Sequence, residues 1–259
     1  MDIDRFVRDG FVKIEQAVPA AVVDDCARLL WERIDAERDD PRTWTKPVEW
    51  VGTMAQPPFA AAMNVPVLVE AIDAVAGPGR WQPRNEMGAF PLRFPHTEEP
   101  DDAGWHIEGA YMPPGETSYW TNVHSSYRAL LLLFLFTDVD ERTAPTRIRA
   151  GSHMDVPRVL LPYSEEGASG EVLSPLVDAA SAHRPTVLGT GRAGDVFVCH
   201  PFLVHAAQPN HGTGPRFLSQ PCISPRDRYA RRPYEGNDSP IGRTIRQALT
   251  DGPGHPVRP

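Results

Sequence analysis

The sequence predicts one domain that is mainly β, with helices packed outside a β core. Three observations predict it. The 28 prolines and 20 glycines are scattered between short apolar runs, which calls for many brief elements joined by turns. Residues 128–139 form one continuous apolar run, RALLLLFLFTDV, of strand length. Helical spacing is concentrated in the first 80 residues, and strand-like runs follow it.

Taken in order, residues 2–9 predict a short helix and Phe11–Ile14 a strand. Pro19 opens a helix whose apolar residues Val22, Val23, Cys26, Leu29, Leu30 and Ile34 recur at steps of three and four, one buried face. A second helix is expected from Pro66 to about Ala76, stopped by Gly77-Pro78. After Trp81 the texture changes. Arg128–Val139 reads as a strand buried on both faces, although a buried helix has the same pattern. Ile148 sits in a short run ended by Gly151, and Thr186–Leu188, Asp195–His200 and Phe217–Ile223 read as further strands. A basic, Pro-rich tail follows Ser224, with a last helix around Ile241–Leu249. The expected organisation is therefore a mostly helical part at 1–80, a core at 81–225 and a tail at 226–259, with no linker or repeat dividing them.

A net charge of -8 argues against a nucleic-acid partner, which needs a basic face. The longest apolar stretch, Ala129–Phe136, is too short to span a bilayer. The charged N-terminus lacks an apolar signal region, and Cys26, Cys199 and Cys222 have no pairing pattern, so a reducing, cytoplasmic setting is expected. A small-molecule substrate fits this balance; the oligomeric state is left open.

Three motifs carry chemistry. In Trp105-His106-Ile107-Glu108-Gly109, residues two apart on a strand point to one side, so His106 and Glu108 can reach one metal. In GDVFVCHPFLVHAAQPN, His200 and His205 flank an apolar run with Pro201 between them, and alternation does not choose between the two. Arg216, in Gly214-Pro215-Arg216-Phe217, offers a planar fork suited to a carboxylate. Two histidines and a carboxylate on one face of an octahedral metal are the ligand set of non-haem Fe(II) oxygenases.

The order HxE, then GSH, then GDVFVCHPFLVHAAQPNHGTGPRF resembles the phytanoyl-CoA dioxygenase family of 2-oxoglutarate oxygenases, and the opening RFVRDGFVKIEQAVP resembles that family's N-terminus. The resemblance implies a double-stranded β-helix (jelly-roll, cupin-like) core. It implies Fe(II) held by His106, Glu108 and His205, the last because the spacing of eleven to Arg216 suits His205 and not His200. It also implies 2-oxoglutarate paired through its C5 carboxylate with Arg216 and contacted by Thr146, with O2 as co-substrate and oxidation of a substrate C–H bond as the outcome. Two departures stand out: Glu108 where the family usually has Asp, and Ala150 where Pro is common before GSH.

Trp105, Tyr111, Trp120 and Tyr127 flank the first ligand pair and are candidates either for pocket walls or for core packing. Gly189-Thr-Gly191-Arg-Ala-Gly194 matches a dinucleotide fingerprint but is followed by Asp195-Val-Phe-Val, a strand and not the required helix, so it reads as a turn. His153 reads as structural, and His96, His124, His183, His211 and His255 have no partner spacing. Two other functions share the ligands: a Zn(II) hydrolase or lyase, which leaves Arg216 without a role, and a metal-binding jelly roll impaired in turnover.

Overall fold

A computed structural model describes residues 1–250; His255 and the rest of the expected tail beyond 250 lie outside the described residues. Helix α1 (Ile3–Asp9) is capped by the Asp2 carboxylate and ends at Gly10, whose φ of 82° is left-handed. Strand β1 (Phe11–Ile14) follows at once. Helix α2 (Ala20–Trp31) buries Val23, Cys26 and Leu30, the stripe its spacing predicts. Strand β2 (Val48–Val51), helix α3 (Pro57–Met63) and helix α4 (Pro66–Ala76) complete the N-terminal third. Both α3 and α4 start with proline, where the missing N–H costs nothing.

The larger sheet has the antiparallel order β1-β9-β5-β11, with β9 at Val196–Cys199, β5 at Leu130–Leu135 and β11 at Leu218–Ser219; β12 (Cys222–Ile223) also pairs with β5. Backbone pairing of Arg93 with Arg216 extends it to β3 (Phe90–Arg93), which pairs with β2. The smaller sheet is β10-β6-β8, formed by His205–Ala206, Thr146–Arg149 and Thr186–Gly189, and His106 pairs with His205 at its edge. A two-stranded ribbon joins β4 (Trp120–Thr121) to β7 (Ala168–Ser169).

Strand alternation sorts the apolar residues into two cores. Leu131, Leu133 and Leu135, with Phe11, Phe197, Cys199 and Leu218, face inward onto Ile148 and Leu203 and fill the space between the sheets. Leu130, Leu132, Phe134, Val196 and Val198 face outward and are covered by Cys26, Leu30, Phe59, Leu68 and Ile72 of the helices. Two facing antiparallel sheets with helices outside one of them form a jelly roll.

The division expected from the sequence is blurred at both ends. The N-terminal part supplies β1 to the large sheet as well as helices. The core stretch contains helices α5 (Val156–Leu160) and α6 (Gly170–Ser181), neither predicted from the sequence. Helix α7 (Pro240–Thr250) is the expected last helix. The run expected as one strand at 217–223 is split into β11 and β12 around Gln220-Pro221. The glycines at 189–194 form the turn from β8 to β9. Among the described residues no single helix is long and apolar enough to cross a membrane.

Candidate metal centre and co-substrate anchor

His106 and His205 exchange two backbone hydrogen bonds, each 3.0 Å. Residues paired in this way project to the same face, and their ring centroids are 4.5 Å apart. Glu108, two residues on from His106, joins them: its Oε1 lies 3.4 Å from His205 Nε2 and 3.8 Å from His106 Nε2. All three ligand atoms lie within 4.8 Å of one another. Metal bonds of about 2.1 Å at right angles place ligand atoms about 3 Å apart, so small side-chain shifts close the site on an ion.

The histidines are already in the metal-binding tautomer. His106 Nδ1–H donates to the Gly104 carbonyl at 2.8 Å and His205 Nδ1–H to the Leu203 carbonyl at 3.0 Å, because a carbonyl only accepts. That leaves each Nε2 as a bare lone pair pointing at Glu108. His205 Nε2 and Glu108 Oε1 are buried without a hydrogen-bond partner. Buried polar atoms left this way cost free energy unless something else satisfies them, and a divalent cation does. Burial pushes the Glu108 carboxyl towards its neutral form, but the imidazoles of His106 and His205 and the charge of Arg128 outweigh it and hold the group well below its ordinary value. The carboxylate is ionised, as a ligand must be. The residues present therefore fit Fe(II).

Gly109 has no room for a side chain, since a Cβ there would collide with Tyr119. The strip 108–111 is clamped from two sides. Thr121 Oγ1 donates to the Glu108 carbonyl at 2.9 Å, Ala110 N–H donates to Trp120 at 2.7 Å, and Arg128 Nη2 donates to the Gly109 carbonyl.

Arg216 stands two residues before inward-facing Leu218 and is 3 % exposed. Its Nη2 donates to the Pro91 carbonyl at 3.0 Å, and its Nε has no partner. Arg93, missed in the sequence, pairs with Arg216 through two backbone hydrogen bonds and so faces the same interior. Its Nη2 is ion-paired with Asp102, while Nε and Nη1 are buried and unpaired. Burial, then the like charge of Arg93, depresses the Arg216 pKa well below its usual value. Two buried arginines with unsatisfied N–H groups inside an apolar barrel offer donors of the kind that suits a carboxylate. The detectable signal was a charged residue inside the apolar stretch FPLRFP. Thr146, on the same face of β6 as Ile148, also points between the sheets.

His200 is placed away from this group. Its Nδ1 accepts from Phe202 N–H at 3.1 Å, its Nε2 meets Thr244 Oγ1 at 3.2 Å, and its ring lies 4.8 Å from that of His153. Of the aromatics, Tyr111, Trp120 and Tyr127 line a cavity of about 850 Å³ beyond Gly109, together with Asn122, His124 and Arg231. Trp105 does not line it. That ring lies under two guanidinium groups, with Arg149 Cζ at 4.2 Å and Arg147 Cζ at 5.0 Å from its centroid, and fastens the segment carrying His106 to β6; that segment, expected as a strand, makes only a single bridge to His205.

Several solved structures share the fold. One is HygX from Streptomyces hygroscopicus with nickel, 2-oxoglutarate and hygromycin B bound, at 17% identity and a TM-score of 0.54, covering 86% of this chain and 85% of that one. Another is the epimerase SnoN in complex with Fe3+, alpha ketoglutarate and nogalamycin RO, at 18% identity and a TM-score of 0.52, covering 86% and 81%. A third is a hypothetical protein from Escherichia coli at 13% identity and a TM-score of 0.56, covering 86% and 67%. No curated protein matches the sequence itself. The family model for phytanoyl-CoA dioxygenase matches residues 6–218, from α1 through Arg216 to β11. The chain therefore belongs to the phytanoyl-CoA dioxygenase family, non-haem iron oxygenases that use 2-oxoglutarate and O2.

Proposed function

We propose that this enzyme oxidises a C–H bond of a small specialised metabolite, with Fe(II) held by His106, Glu108 and His205 and 2-oxoglutarate anchored by Arg216. The observation that carries this reading is the convergence of three ligand atoms, two of them buried and unpaired, in a barrel that also buries an arginine fork. Fe(II) with 2-oxoglutarate supplies O2 activation coupled to decarboxylation of the oxo acid to succinate and CO2. The chain's own residues do the rest. Arg216, with Arg93 beside it, orients the co-substrate through its far carboxylate, and Thr146 adds a hydroxyl on the same interior face. The leucine and phenylalanine lining keeps the space between the sheets apolar. Hydroxylation is the default outcome, and the cavity wall decides whether the substrate radical is directed elsewhere. The small metabolites named with the HygX and SnoN structures support a specialised-metabolite substrate.

The test is anaerobic addition of Fe(II) and 2-oxoglutarate. A weak visible charge-transfer band is expected, with succinate formed on admission of air. Arg216→Met should weaken 2-oxoglutarate by about tenfold to a hundredfold, the worth of a charge-assisted pair, with Arg216→Lys in between. Failure of 2-oxoglutarate to bind in the presence of Fe(II) would sink the reading.

A further inference from the structure

We propose that the substrate carries an anionic oxygen, a carboxylate or a phenolate, and that Arg128 holds it; this rests on the Fe(II) and 2-oxoglutarate reading of the same site. Arg128 is 5 % exposed. One of its nitrogens braces the Gly109 carbonyl, and the other two, Nε and Nη1, are buried with no acceptor. Among the described residues no carboxylate forms an ion pair with it. On one side it is bonded to the residue after the ligand Glu108; on the other it follows Ser126 and Tyr127, both of which line the cavity. It therefore joins the strip that carries Glu108 to the segment that lines the cavity, from behind the cavity wall.

Charge balance explains why an anion belongs there. The two positive charges of Fe(II) and the one on Arg216 offset the dianionic oxo acid and Glu108. Arg93 is offset by Asp102. With co-substrate in place, Arg128 is the surplus charge, and a lone buried charge is costly unless a counter-ion reaches it. A planar guanidinium with two free N–H donors suits an oxyanion. The rest of the cavity suits a flat aromatic body: the Tyr111 and Tyr127 rings lie 5.5 Å apart, and Trp120 lines the wall with its own buried, unpaired Nε1–H ready for a second acceptor oxygen. Other charges at the cavity are Glu165, Glu166 and Arg231, all exposed, so water screens them, and Arg232 pairs with Glu165.

The test titrates the protein loaded anaerobically with Ni(II) and saturating 2-oxoglutarate, by tryptophan fluorescence, with two anions and their neutral counterparts: naphthoate against naphthamide, and para-nitrophenolate against para-nitroanisole. The wild type should prefer at least one anion over its neutral partner by about tenfold or more. The anion preferred identifies carboxylate or phenolate as the group. Arg128→Met should erase the preference and leave the neutral partner's affinity unchanged, and Arg128→Lys should keep part of it. The proposal is overturned if the wild type binds neither anion or shows no preference, if Arg128→Met keeps the preference, or if Arg231→Met loses it instead. Thermal unfolding identifies a misfolded Arg128→Met, in which case Arg128→Gln takes its place. The 2-oxoglutarate charge-transfer titration separates the two readings. A loss of 2-oxoglutarate affinity in Arg128→Met assigns the residue to the co-substrate and overturns the proposal. Absence of the band in wild type, with the probe preference intact, removes the oxygenase reading alone.

Discussion

Glu108 reaches the histidine pair from a backbone held at its own carbonyl by Thr121 and at the next by Arg128. With the backbone pinned, side-chain length sets where the carboxylate lies, and aspartate would fall about 1.5 Å short. Glu108→Asp should still bind Fe(II), with affinity lowered by about tenfold or more, and Glu108→Ala should lose both tight binding and turnover. Metal titration and succinate release measure both; normal turnover by Glu108→Ala would remove the residue from the ligand set. His153 tests the fold. It is fully buried, donates from Nε2 to the Val7 carbonyl at 3.1 Å and leaves Nδ1 unpaired. Burial lowers its pKa from 6.5 to about 4. A histidine depressed in the folded state stabilises it above the unfolded pKa, and that stability is lost as pH falls from 6.5 towards 4. The loss amounts to roughly 3 kcal/mol from this group. His200, also pushed down by burial, acts in the same direction, and His106, raised through Glu108, acts against them. Chemical unfolding across that window should show falling stability towards acid; a flat or opposite slope would contradict the burial argument.

At the scale of elements, the joint between α1 and β1 turns on Gly10. Its left-handed φ ends the helix so that the next residue enters the sheet, and an added Cβ would meet His153 Nδ1 at 2.5 Å. Gly10→Ala combines backbone strain of about 1 kcal/mol with a clash against a buried ring, and should cost roughly 2–4 kcal/mol in equilibrium unfolding. The elements legible in the sequence were those with a clear period or a clear stop. Strand β1 follows a glycine, α2 and α4 follow a proline or carry one at the start, and β5 is an unbroken apolar run. Helix α6 was hidden because Pro175 sits inside it. Strand β8 was found, although both of its central residues are largely exposed, because β-branched residues mark it. His106-x-Glu108 was legible as a motif, yet the choice of His205 over His200 needed a spacing known from the family, since both side chains are buried and only their partners distinguish them.

Over the whole molecule, the site is divided between the two sheets. The proposed metal ligands stand at the edge of the smaller sheet, and Arg93 and Arg216 stand on the larger one, so metal and co-substrate bound as proposed would tie the sheets to each other. Binding confined to the folded state stabilises it by mass action, about 2.7 kcal/mol at a hundred times Kd, or a rise in Tm of roughly 5–10 °C for a domain of this size. Ni(II) with 2-oxoglutarate, under anaerobic conditions, should give that rise, and 2-oxoglutarate without metal a smaller one; an equal effect without metal would place the co-substrate elsewhere. Arg93 and Arg128 escaped notice in the sequence because a lone arginine beside an apolar run looks like a surface residue until pairing shows which way it faces. The backbone pairing of His106 with His205 has a kinetic consequence. These two residues are far apart along the chain, so pairing them closes a long loop at an entropic cost. The proposed first sphere of the metal is complete only once that pairing forms, so metal uptake during refolding would report on the closing of the smaller sheet's edge.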